Sequence, residues 1–77
     1  MEAIDWRLSE GPFTMFLFDI NGKQIGDDKG NGFWYPSDKR IIDAINESTS
    51  YNGLILVFIT RTEGQNIIID TYKYMKE

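Results

Sequence analysis

Hydrophobic residues fall at every second position over residues 3–9 (AIDWRLS), with Ile4, Trp6 and Leu8 on one side and Asp5 and Arg7 on the other. A period of two predicts a half-buried strand; a short amphipathic helix is the alternative, because Ile4 and Leu8 also stand four apart. Gly11-Pro12 breaks this element. From Phe13 to Ile20 (FTMFLFDI) apolar side chains point both ways, Phe16, Phe18 and Ile20 opposite Met15 and Leu17, as in a central strand. Asn21-Gly22 then predicts a type I′ hairpin turn, since both residues tolerate positive φ, and Lys23 to Ile25 is expected to return antiparallel. Pairing lapses through Gly26 to Gly32 before Phe33-Trp34-Tyr35 resumes an extended path.

Pro36-Ser37 marks the end of that strand and the start of a helix running to about Ser48. Ser37 is the expected cap, Asp38 suits the positive end of the helix dipole, and Ile41, Ile42, Ala44 and Ile45 form the apolar stripe. Tyr51-Asn52-Gly53 reads as a turn and Leu54 to Thr60 as a second strand apolar on both faces, with Leu56 and Phe58 expected in the core. A loop over Thr62-Glu63-Gly64-Gln65 leads into a last strand from Asn66 to Tyr74. The pattern predicts one α+β domain over residues 1–77, a mostly antiparallel sheet of four or five strands in the order β-β-β-α-β-β with one helix packed on a face. One helix covers one face. The apolar residues of the other call for a curled sheet or a partner subunit.

Composition narrows the chemistry. In 77 residues there is room for a single domain, and the absence of Cys and His removes disulfides, ordinary zinc sites and Ser-His or Cys-His catalysis. Twelve acidic residues against eight basic give a net charge of -4, which disfavours bulk duplex nucleic acid and anionic membrane as partners. No apolar run approaches the roughly 20 residues of a membrane span, and the acidic N-terminal stretch lacks the apolar core of a signal peptide, so a cytoplasmic protein is expected. Ile is frequent while Ala occurs only at Ala3 and Ala44, a bias associated with AT-rich coding and with small accessory proteins of bacterial viruses.

The stretch GDDKGNGFWYPSDKR (residues 26–40) holds the densest cluster of distinctive residues. As a calcium loop starting at Asp27 it puts Lys29 where a ligand oxygen is required. Gly26, Gly30 and Gly32 lack the spacing of a phosphate-binding loop. Asp27, Asp28 and Lys29 near Asp19 carry the residue types of a metal-dependent nuclease, but they sit among glycines rather than on rigid elements. Asp19 and Asp70 are the remaining carboxylate pair that a fold could unite for acid–base work. None of these amounts to a catalytic constellation. No enzyme activity, metal or cofactor is expected.

The aromatics remain. On an alternating strand Phe33 and Tyr35 share one face and Trp34 takes the other. With Lys29, Lys39 and Arg40 nearby, these residues form a candidate partner-binding surface, Trp34 its anchor. Ile67, Ile69, Tyr72 and Tyr74 on the last strand are candidates for self-association as a homodimer, because an apolar edge needs cover. The leading functional expectation is a non-enzymatic protein-binding module, in its narrowest form a virus-encoded inhibitor of a host defence or regulatory protein. The alternative is a binder of a nucleotide, signalling molecule or single-stranded nucleic acid, with bases stacked on the aromatics and phosphates held by Lys23, Lys29, Lys39 and Arg40.

Overall fold

The computed structural model describes residues 12–26, 30–36 and 39–77. Four strands and one helix follow in the order β1 (Phe13–Phe18), β2 (Phe33–Tyr35), α1 (Ile41–Ser48), β3 (Gly53–Glu63) and β4 (Asn66–Lys76). They form an antiparallel α+β fold in which the strands lie in the order β2-β1-β3-β4. The sequence-predicted element over residues 3–9 lies outside the described residues.

The sheet's register sorts every strand residue onto one of two faces. Phe13, Met15 and Leu17 of β1 share a face with Ile55, Val57 and Ile59 of β3, and all six are buried. Ile41, Ala44 and Ile45 of α1 close this core from above, while Phe33, Tyr35, Tyr51, Tyr72 and Tyr74 pack around its margin. Phe58 and Leu56 fall on the other face and are only half-buried, contrary to the expectation that they are core. Their odd-numbered neighbours take that place because those are the positions in register with Leu17 and Met15 beneath the helix.

Several boundaries differ from the sequence-based expectation for identifiable reasons. The helix opens at Ile41, with Arg40 as its N-cap residue and no side-chain cap bond, rather than after Ser37. Its first apolar contact with the sheet is Ile41, and burial decides where so short a helix starts. Asp43 supplies the acidic residue of the first turn; Ser37 and Asp38 lie outside the described residues. After β1 the chain does turn back, but Asn21 has no positive φ and a type I′ turn is absent. The Gly22 amide donates to the Asp19 carbonyl at 3.0 Å, Gly22 then takes φ +84°, and the Asp19 amide donates to the Lys23 carbonyl at 2.9 Å. This is a three-residue loop, Ile20 to Gly22, whose last residue is the glycine in the left-handed region. Only a single bridge, Phe18 with Gln24, follows it, so residues 23–25 are not a strand. At the other hairpin, β3 continues to Glu63 and pairs with Asn66, leaving Gly64-Gln65 as a two-residue turn in place of the expected four-residue loop. Gly64 at φ +66° permits it.

Candidate functional site: the open face of the sheet

The face away from the helix carries Thr14, Phe16 and Phe18 from β1 and Trp34 from β2. From β3 and β4 it carries Leu54, Leu56, Phe58, Thr60, Ile67, Ile69, Thr71, Lys73 and Met75. Trp34, Ile67, Ile69 and Met75 are 64%, 72%, 62% and 47% exposed. Phe16, Phe18, Leu56 and Phe58 are half-buried, and the Phe18 and Phe58 rings meet edge to face at 5.6 Å. Lys73 is the one charged side chain among these strand positions. A solvated sheet face ordinarily alternates to polar residues; this one stays largely apolar.

Across the sheet, Trp34 pairs with Thr14, Thr14 with Thr60, and Thr60 with Ile69. The two bulky exposed side chains therefore stand at opposite edges of one row, with two small β-branched residues between them. Beyond that row an open depression of about 410 Å³ lies over Leu56, Phe58, Thr71, Tyr72 and Lys73. The sequence pattern assigns Trp34 and the Ile67/Ile69 pair to two separate surfaces; the fold joins them on one.

The other sequence-predicted site residues are not part of this face. Phe33 and Tyr35 point to the helix side. The Tyr35 ring stacks on Phe13 at 5.2 Å, and its hydroxyl lies 2.9 Å from Ser48 Oγ and 3.2 Å from the Ala44 carbonyl oxygen. Ser48 Oγ itself donates to that carbonyl at 2.7 Å, so Tyr35 ties β2 to the last turn of the helix. Lys39 forms an ion pair with Glu47 of the helix, and the Glu47 carboxylate, accepting a hydrogen bond, raises the Lys39 pKa above its ordinary value. Arg40 is exposed at the helix start. Tyr72 and Tyr74 follow Ile55 and Val57 onto the helix side, away from Ile67 and Ile69. Lys29 lies outside the described residues. Trp34 is thus anchored beside threonines and phenylalanines, and the described cations Lys39 and Arg40 belong to the helix layer.

The candidate carboxylates are likewise apart and engaged. Asp19 Oδ1 accepts the backbone amides of Asn21 and Lys23, both at 2.9 Å, which is a turn-closing role. Asp70 accepts from Arg61 Nε at 3.4 Å, while Arg61 also donates to Glu63 at 3.2 Å. The bond to Glu63 and then the nearby Asp70 charge raise the Arg61 pKa. Asp70 lies in the row of Met15, and Asp19 follows β1 at its far end. Among the described residues no group of acidic side chains is arranged to hold a metal ion. No described helix is long and apolar enough to cross a membrane.

Glycine explains how the face is floored. At Gly26 (φ +96°) a Cβ would collide with the Phe33 ring, and at Gly32 (φ +76°) it would stand 2.8 Å from the Phe16 ring and 2.9 Å from the Met15 carbonyl oxygen. Both positions need the left-handed conformation and the absent side chain. The glycines before Phe33 therefore let two aromatic rings lie down on the backbone, one on each side of the sheet.

Comparison of the chain with protein-family models, curated proteins and solved structures finds no match.

Proposed function

We propose that this chain is a non-enzymatic protein-binding module whose contact surface is the open sheet face. The supporting observation is the row from Trp34 to Ile69, both largely exposed, on a surface whose described strand positions carry one charge. Aromatic anchors surrounded by apolar contacts and sparse charge make up the centre of protein interfaces. The narrower role as inhibitor of a host protein adds a target class to this reading and rests on composition alone. The alternative of phosphate-bearing ligands has less support, because Lys39 is paired with Glu47 and lies with the helix rather than beside the Trp34 face.

Retention of a protein by immobilised wild-type chain tests the reading. The complex is expected to persist in about 1 M salt, where charge attraction is screened within about 3 Å. Trp34→Ala is expected to keep the wild-type circular dichroism spectrum and to weaken binding by about 2 kcal/mol or more. Arg40→Ala is expected to leave binding unchanged. Binding lost in salt, or lost with Arg40 and kept without Trp34, overturns the proposal.

A further inference from the structure

Separately from the open face, we infer that the outer edge of β4 joins a second copy of this chain strand to strand, β4 antiparallel to β4, about a two-fold axis that stands on Thr71 perpendicular to the sheet.

The two edges of the sheet are unlike. β2 closes one with 3 residues. β4 forms the other with 11, and no described strand pairs with its outer side. Shortness, proline, bulges and charged side chains ordinarily keep an edge strand from pairing further. β4 is long and has no proline, and its pairing with β3 runs from Asn66 to Lys76 without a bulge. Of the charges in its interior, Asp70 is engaged by Arg61 at 3.4 Å, which leaves Lys73.

The hairpin fixes which main-chain groups point outward. A two-residue turn makes Glu63 and Asn66 the pair that exchanges both hydrogen bonds, and bonded pairs alternate along the ladder from there. Even-numbered residues of β4 therefore bond to β3. Ile67, Ile69, Thr71, Lys73 and Met75 turn their amides and carbonyls to the outer side, where an extended backbone satisfies them at every position.

A second β4 fits this edge along its whole length. Thr71 is the midpoint of the strand, so an axis there pairs all 11 residues, and each one-residue shift of the axis leaves two unpaired. Ile67 then meets Met75, Ile69 meets Lys73 and Thr71 meets its own copy. Counted from both copies, these pairs exchange about ten main-chain hydrogen bonds, as many as a typical specific interface carries. Paired residues share a face, so the exposed Ile67, Ile69 and Met75 each gain a cross-strand neighbour, Ile69 along the methylenes of Lys73. Charge agrees with the register. The two Lys73 positions stand about 13 Å apart along the strands, whereas an axis at Lys73 sets them directly opposite each other. The two Asp70 positions lie diagonally, about 8 Å apart, and each carboxylate keeps its own Arg61. The two four-stranded sheets become one continuous sheet, with both helices on one side and both open faces on the other.

The test uses the full chain. Sedimentation is expected to give twice the 8.9 kDa chain mass. As the dimer forms, the amides of Ile67, Ile69, Thr71, Lys73 and Met75 are expected to exchange at least about tenfold more slowly, while those of Ile68 and Asp70, bonded to β3, are protected at every concentration. Thr71→Pro removes an outward amide and none bonded to β3, so a folded monomer is expected. Trp34→Ala is expected to remain a dimer. The sequence has no cysteine, so Thr71→Cys supplies a single thiol opposite its own copy and is expected to cross-link under mild oxidation. Ile67→Cys, which faces Met75, is expected not to. A wild-type monomer overturns the second copy. A dimer that survives in folded Thr71→Pro, or is lost in folded Trp34→Ala, overturns the edge. If Thr71→Pro does not fold, the exchange pattern decides: slowing confined to other residues overturns the edge. A dimer in which Ile67→Cys cross-links and Thr71→Cys does not overturns the axis.

Discussion

The ring of Phe33 occupies the space that a side chain at Gly26 would need. The glycines at 26 and 32 are thus explained by close approach rather than by freedom of movement. Gly26→Ala meets both the ring and a φ of +96°, and it is expected to lower the unfolding free energy by about 1–3 kcal/mol. Gly22→Ala serves as the control, because open space surrounds that position and only the backbone cost applies. Urea titration of the two variants is expected to rank Gly26→Ala as the less stable.

The register separates two neighbouring positions of β1 and β3 by their consequences. Leu17 is fully buried beneath the helix, so Leu17→Ala is expected to cost about 2–5 kcal/mol. Phe58 is larger but only half-buried on the open face, and Phe58→Ala is expected to cost less than Leu17→Ala when both are measured as monomers. The reverse order in thermal melts would mean that the two faces have been exchanged.

Much of this is legible in the amino-acid pattern, and the failures have a common cause. The alternation of Phe33, Trp34 and Tyr35 places Trp34 on the face opposite the other two, as the pairing with β1 shows. In LILVFIT, however, every residue from Leu54 to Ile59 is apolar, so parity alone does not say whether Val57 or Phe58 is inside. The deciding signal lies across the turn. Thr71 and Lys73 alternate with Tyr72 and Tyr74, and a two-residue turn at Gly64-Gln65 carries that parity to Phe58 and Val57 respectively. The expected four-residue loop shifts the register by two residues and leaves that parity unchanged, so the signal is readable with either loop. The contact of Tyr35 with Ser48 joins residues 13 apart, and no local pattern announces it. The helix start is misjudged from sequence because Ser37 is a good cap in isolation, whereas burial of Ile41 sets the boundary.

Tyr35→Phe isolates the tie between β2 and the helix. The ring keeps its stack on Phe13 and Ser48 keeps its bond to the Ala44 carbonyl, so only the phenol's hydrogen bond is lost. A loss of about 0.5–1.5 kcal/mol is expected from denaturant titration. Because Tyr35 faces away from Trp34, partner binding is expected to be unaltered.

The Lys39–Glu47 ion pair makes an alkaline prediction. The folded-state pKa of Lys39 lies above the ordinary 10.5, chiefly through its hydrogen bond to Glu47. Stability from this source is fully present below the unfolded value and is lost as pH rises through the folded one. Lys39→Met is therefore expected to reduce the fall in stability above pH 10.5 relative to wild type. Denaturant midpoints of the two proteins across that range measure the difference, and parallel curves would show that the pair contributes nothing.

The strand order has a further consequence for how the chain is made. β1 is central, yet both its partners come after it in the sequence. Phe18 pairs with Leu56 and Phe13 with Arg61, so the main partner lies 38 to 48 residues further on. At a synthesis rate of about 5–20 residues per second, FTMFLF waits for roughly 2–10 s with only a three-residue neighbour to cover it. β3 and β4, by contrast, are joined by two residues and zip locally once both have emerged. The ribosome thus releases an apolar central strand well before the strand that shelters it along most of its length.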